Sequence, residues 1–278
     1  MSKFTDIYKF REMNINSLVL LSSCKLWFAS IQDLNDPFEG YVYIAEPSND
    51  DEKIEQYIKF GQNIIEKHNA LSSEKAREIV LSNYFSDPKS FIKFIDEILG
   101  KHPATISRHL SQLGIYSVSS DIPGNSMTQE SNMLMWSHYA DGFKGFCIHY
   151  DLQKLHSSLR AMNPGKKFEW CSVNYLDKPH KINFVESIEK ETIEALRSIQ
   201  SKHSQWRYEC EIRILASQTG AFSFSPSAVK TIYVGERMPR EQKDLLITLA
   251  RSSFPECALK EVRVARNLED FSVSVAEI

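Results

Sequence analysis

The chain has no CxxC pair, and its five cysteines (Cys24, Cys147, Cys171, Cys210, Cys257) are scattered and odd in number. That pattern argues against a disulfide framework or a zinc ribbon and for reduced thiols in a cytoplasm. No HExxH, HxxxH or HxH occurs, so metal catalysis lacks a ligand pair to start from and no metal is expected. GxxxxGK[ST], GxGxxG and GxSxG are missing as well, which leaves P-loop binding, Rossmann binding and a hydrolase elbow unsupported. The N-terminal segment carries acids and no apolar core, and its longest apolar run, Leu18–Leu21, is far too short to span a bilayer; neither a signal peptide nor a membrane anchor is expected. A net charge of −3 supplies no overall basic field for nucleic acid, although local basic grooves stay open.

What is present is ordinary for a globular protein: 42% hydrophobic and 25% charged residues over 278 positions, enough to bury a substantial core. A strand is expected near Ile7–Phe10, then a helix over Ser17–Ser23 capped by Asn16 with Leu18, Leu21 and Val19 inward. "KLWFAS" reads as a buried strand and "DLNDPFEG" as turn formers. From Asn49 to Leu113 isoleucines and aromatics recur at helical spacing among charges, which predicts a helical insertion. "GIYSVSS" returns to a strand. Ser131 to Gly142 reads as a short helix with Ser131 as cap and Gly142 as stop. "GFCIHYD" and "FEWCSVNYL" follow as strands, Asn183–Lys202 as a helix, then "HSQWRYECEIRI", "VKTIYVGERM", a helix from Arg240 and two terminal strands. Mixed elements without regular βαβ alternation predict a single α+β domain over residues 1–278, with residues 49–113 as the insertion. Its sheet is expected to be largely antiparallel, strongly bent or split, and flanked by helices.

Glu209, Glu211 and Arg213 fall at alternate positions, so a strand through them would put two carboxylates on one face. A solvated face is the bland reading. Trp206 and Tyr208 beside them favour a sharper one, because aromatic walls stack planar ligands and raise a carboxyl pKa by desolvation. His138, with Tyr139, reads equally as a half-buried helix histidine or as a hydrogen-bonding wall. "NDPFEG" reads first as a rigid turn. Arg11 is either a surface arginine or a clamp on phosphate, and Lys9 would share its face in an extended segment. Cys147 and Cys210, embedded in strand patterns, are expected to be buried and inert.

The segments "LWFASIQDLNDPFEG", "MLMWSHYADGFKGFCIHYD" and "WRYECEIRI", with "IYKFR", "GIYSVSS", "VNYLDKP" and "IYVGERM", resemble a bacterial family of domains of unknown function, number 2971. That family usually has Trp where this chain has Ile212. More distantly, the order of parts is similar to ADP-ribosyltransferases: a basic first strand, a second strand ending in a hydroxyl residue, and a late Glu-x-Glu. This second resemblance implies an NAD-dependent effector of a toxin or phage-defence kind, with nucleic acid or protein as acceptor. Arg11, Tyr8 and Ser30 would then contact NAD, while Trp136, Tyr139, Trp206 and Tyr208 would stack or wall it. Glu211, with Glu209 and His138, would carry the chemistry. A non-catalytic nucleotide- or protein-binding module and a metal-independent hydrolase or nuclease remain as alternatives.

Overall fold

The computed structural model describes residues 5–45, 47–99, 110–121, 128–183, 196–266 and 272–278. The chain forms two compact units, one of residues 1–35, 112–175 and 202–278, the other of residues 36–111 and 176–201. Its first elements are β1 (Asp6–Arg11), α1 (Ile15–Ser22), β2 (Lys25–Phe28), β3 (Val42–Ala45), α2 (Asp50–Asn69), α3 (Ser73–Ser86) and α4 (Pro88–Leu99). There follow β4 (Gly114–Ser120), α5 (Met133–Tyr139), β5 (Phe146–Asp151), α6 (Leu152–Met162), β6 (Phe168–Ser172), β7 (Asn174–Leu176), β8 (His180–Asn183) and β9 (Ser201–His203). The last are β10 (Glu211–Ala216), β11 (Gly220–Ser223), β12 (Val229–Gly235), α7 (Arg240–Ser253), β13 (Ala258–Ala265) and β14 (Ser272–Glu277).

The first unit is built on an eight-stranded sheet of order β14-β13-β12-β5-β1-β4-β10-β6. Neighbours are antiparallel except β12 and β13, which run parallel because α7 carries the chain back across the sheet. The architecture is therefore α+β with a largely antiparallel sheet. Alternation along β1 divides its side chains between two apolar layers. Ile7 joins Tyr116, Ile212, Ile214 and Tyr150 under Leu21 of α1, Leu155 of α6 and Leu246 of α7. Tyr8 and Phe10 join Cys147 and Tyr233 under Met135 and Trp136 of α5. Burying each such large side chain contributes roughly 1.5–3 kcal/mol. Gly145, just before β5, has no room for a side chain: a Cβ there would lie 2.2 Å from the Arg11 carbonyl oxygen.

In the second unit α2 starts at an Asn49 cap and α3 at a Ser72 cap. Tyr57, Phe60 and Ile95 form its buried apolar cluster, and β3 pairs in parallel with β8. The helices at 50–99 match the spacing read from the sequence.

Several local expectations fail for identifiable reasons. The first helix is capped by Asn14, whose side chain accepts the Ser17 N–H at 2.9 Å, so Asn16 falls inside the first turn and Val19 faces solvent. Asn132 caps α5 in place of Ser131, which instead donates to the Thr128 carbonyl. That helix ends at Tyr139, with Ala140 as cap, and Gly142 lies beyond it with φ +58°. The helix expected over Asn183–Lys202 is too long at both ends, since Asn183 closes β8 and Lys202 lies in β9; residues 196–199 are helical as expected, and residues 184–195 lie outside the described residues. "HSQWRYECEIRI" is no continuous strand. Ser204–Glu209 is a 3-10 helix, Cys210 adopts φ 45°, and only from Glu211 does the chain enter β10.

Candidate functional site

The left-handed Cys210 has no glycine to relieve it, which costs on the order of 1–2 kcal/mol of backbone strain. It reverses the chain between the two glutamates. Glu209 and Glu211 are brought together by that turn and not by strand alternation. Both are buried, and both reach one ammonium: Lys202 Nζ donates to Glu209 Oε2 at 2.7 Å and to Glu211 Oε2 at 3.0 Å. Arg213, wholly buried, donates to Glu211 from Nε at 2.8 Å and from Nη2 at 3.2 Å. Among the described residues, two cations and two anions thus meet in one chain inside the unit. Ions left unpaired there would each cost several kcal/mol, which is why the four must come together.

The surroundings of the two carboxyls differ. Tyr175 Oη accepts the backbone N–H of Glu211 at 2.8 Å, and Trp206 lies under the Lys202 ammonium, 4.9 Å from the ring centre. Burial alone would raise the Glu211 pKa, but the adjacent Arg213 and Lys202 hold it down at about 2. Glu209 is held by the Lys202 ammonium and the Tyr139 hydroxyl, with no guanidinium bonded to it among the described residues. Its burial wins over the attraction of Lys202, and its carboxyl is raised above the ordinary value. Tyr139 Oη donates a short hydrogen bond to Glu209 Oε1 and accepts one from Asn35 Nδ2 at 2.8 Å. Asn35 is exposed and Tyr139 half-buried, so a hydrogen-bonded path leads from solvent to Glu209. Exposed His138 shares a 2.8 Å hydrogen bond with Tyr208 Oη, whose pKa burial and then Glu209 push up to about 12. Trp206 and Tyr208 sit with ring centres 6.2 Å apart.

The structure therefore gathers Glu209, Glu211, His138, Tyr139, Trp206 and Tyr208. Four other candidates are engaged otherwise, although Tyr8 and Trp136 belong to the apolar cluster on which Tyr139 and Tyr208 pack. Arg11 is two residues beyond Lys9 and four beyond Ile7, on the Tyr116 side of the sheet, where its side chain hydrogen-bonds Tyr116. Glu211 stands opposite Ser119, which stands opposite Tyr8, and so belongs to the other side. Tyr8 is buried, stacked on His149 at 4.6 Å and bonded to Asp121. Trp136 is wholly buried, donates to the Glu130 carbonyl at 2.7 Å and stacks on Phe143, which makes it core. The Ser30 hydroxyl is engaged with Asp33 in a helix-capping exchange. In "NDPFEG", Asp36 accepts the Phe38 N–H as a turn former should. Cys147 is buried as expected, whereas Cys210 is a half-buried turn residue outside any strand.

Residues 135–214 match the model of a family described as protein of unknown function (DUF2971). No curated protein and no solved structure matches the chain. The matched segment runs from α5 to β10 and carries all of the gathered side chains except Asn35. Lys202 is the residue that sequence reasoning missed. Nothing in its spacing marks it, because it lies seven positions before Glu209 and reaches the acids only through the 3-10 turn. Among the described residues no group of three or more His, Cys, Asp or Glu could hold a metal ion, and no helix is long and apolar enough to cross a membrane.

Proposed function

We propose that this protein is a nucleotide-binding module whose ligand sits on the rings of Trp206, Tyr208, His138 and Tyr139 and hydrogen-bonds to the Glu209–Tyr139 pair. The observation that carries this reading is the path Asn35–Tyr139–Glu209, which connects solvent to a buried carboxyl of raised pKa. The Tyr139 hydroxyl beside that carboxyl lets the pair offer both a donor and an acceptor, as the edge of a nucleobase requires, and aromatic faces supply the stacking. The test is thermal unfolding of the intact chain with a panel of nucleotides that includes NAD. Binding raises the melting temperature with ligand concentration. Tyr208→Ala and Glu209→Gln should abolish that rise while both variants remain folded. A panel that leaves wild type unmoved removes the reading.

A second reading, NAD-dependent ADP-ribosyl transfer, draws on one specific feature: neighbouring carboxyls with pKa values driven in opposite directions, an arrangement suited to separate acid and anion roles. In it Glu209 would exchange the proton and Glu211 would stay ionised to face the developing cationic sugar. Release of nicotinamide from labelled NAD, with protein or nucleic acid as acceptor, decides it. Activity that survives in both Glu209→Gln and Glu211→Gln would exclude this pair as its source.

A further inference from the structure

The central strands of the sheet do not stay together. β1 pairs with β5 along its whole length, from Asp6 to Arg11, but with β4 only through Ile7↔Ser120 and Tyr8↔Ser119. β4 meanwhile remains paired with β10 as far as Gly114. Beyond Tyr8 the two strands run apart, and the carbonyls and amides facing the opening have no ladder partner across it. Lys9 enters this opening. Its ammonium donates to the Ser117 carbonyl at 2.6 Å and lies 5.0 Å from the Tyr116 ring centre. Arg11 follows two residues later and hydrogen-bonds the side chain of the same Tyr116, which is bonded in turn to Tyr150.

Both cations are half-buried, and among the described residues neither forms a salt bridge with a carboxylate. Lys202 and Arg213 show the contrast, since each is matched to an acid. Burial first and the neighbouring Arg11 second bring the Lys9 amine down to about 7. Two adjacent cations beside two buried tyrosines, at a gap in a sheet, constitute a positive site with no carboxylate in salt-bridge contact among the described residues; the charges of Glu211 and Glu209 act on Lys9 only from a distance. A guanidinium fork and an ammonium together match the geometry of a tetrahedral oxyanion.

We propose that the opening between β1 and β4 is a binding site for a phosphate group, held by Arg11 and Lys9. It lies at the Tyr116 side of the sheet and does not rest on the reading of the Glu209 site. A bound phosphate would bridge the two cations and return Lys9 to its charged, unreactive form.

The experiment is acylation of the intact protein at pH 7 with an N-hydroxysuccinimide ester of acetic acid, with labelling followed peptide by peptide. Lys9 should label faster than the exposed lysines. Inorganic phosphate at ten times its dissociation constant should slow Lys9 alone by about tenfold, by mass action, while chloride at equal ionic strength should not. Arg11→Gln, its fold checked by circular dichroism, should abolish this protection. Thermal unfolding gives a second readout: phosphate should raise the melting temperature of wild type and not that of Arg11→Gln or Lys9→Met. Protection by acetate alone, or no effect of phosphate in either measurement, would overturn the proposal.

Discussion

The motif Glu-aliphatic-Arg occurs twice in strands of the same sheet, as Glu211-Ile212-Arg213 in β10 and as Glu261-Val262-Arg263 in β13. The local chemistry repeats. In both, the arginine Nε donates to the glutamate two residues before it, at 2.8 Å in β10 and 2.5 Å in β13, and a lysine from elsewhere adds a second bond. Both glutamates have lowered pKa values despite their burial. Yet the Arg213 side chain is 0% exposed and that of Arg263 is 57% exposed. The difference comes from what covers each strand. Lys202, Tyr175 and the Cys210 turn close over Glu211, whereas Lys243 of α7 reaches Glu261 with its own side chain partly in water. One sequence pattern thus builds a fully enclosed pair in one place and, in another, a buried glutamate whose arginine stays largely in water.

The largest effect should come from breaking each pair at pH 7. Glu211→Gln leaves Lys202 and Arg213 without their shared anion and is expected to lower stability by about 3–5 kcal/mol. Glu261→Gln, whose arginine is mostly solvated, is expected to lower it by about 1 kcal/mol or less. Urea denaturation measures both, and equal losses would dissolve the contrast.

Acid titration of unfolding should show a smaller difference. The Glu211 carboxyl, held at about 2 against an ordinary 4.5, contributes stability that is complete above its unfolded value and is lost as pH falls from there toward 2. Glu211→Gln should therefore flatten the acid limb. Glu209 has the opposite sign: its carboxyl is raised, so its contribution is complete below the ordinary value and diminishes as pH rises from there through the raised one, and Glu209→Gln should cost less at pH 8 than at pH 4. A steeper acid limb in Glu211→Gln would contradict the assigned directions.

The smallest effect separates the pairs by screening. Raising NaCl to 1 M shortens the Debye length to roughly 3 Å, so the cost of Glu261→Gln should shrink toward zero while that of Glu211→Gln stays nearly constant. Denaturation midpoints at low and high salt for the two variants supply the check.

Much of both units was legible because apolar alternation along β1, β4, β5, β6 and β12 in the first, and the helical period of α2 to α4 in the second, are local signals. Errors gathered where two neighbouring polar residues competed for one cap, Asn14 against Asn16 and Asn132 against Ser131, because the choice depends on which side chain reaches a backbone N–H. The candidate site was legible in part. His138, Tyr139, Trp206, Tyr208 and both glutamates do assemble, but Glu209 and Glu211 meet through a turn in place of a shared strand face. Lys202 stayed hidden because its contacts span residues with no periodic relation. Arg11 pointed away because strand alternation fixed it to the side of Ile7.

The residues themselves determined the α+β class, the positions of most strands and the pairing of each arginine with the glutamate two positions before it, since these follow from alternation and neighbours along the chain. Only the tertiary structure decided which of two similar Glu-x-Arg pairs is buried, that Lys202 joins the acids, and that β1 parts from β4 around Lys9. Those outcomes depend on which distant segments cover a strand and displace its water, and solvation sets both the strength of a charge pair and the pKa of its members.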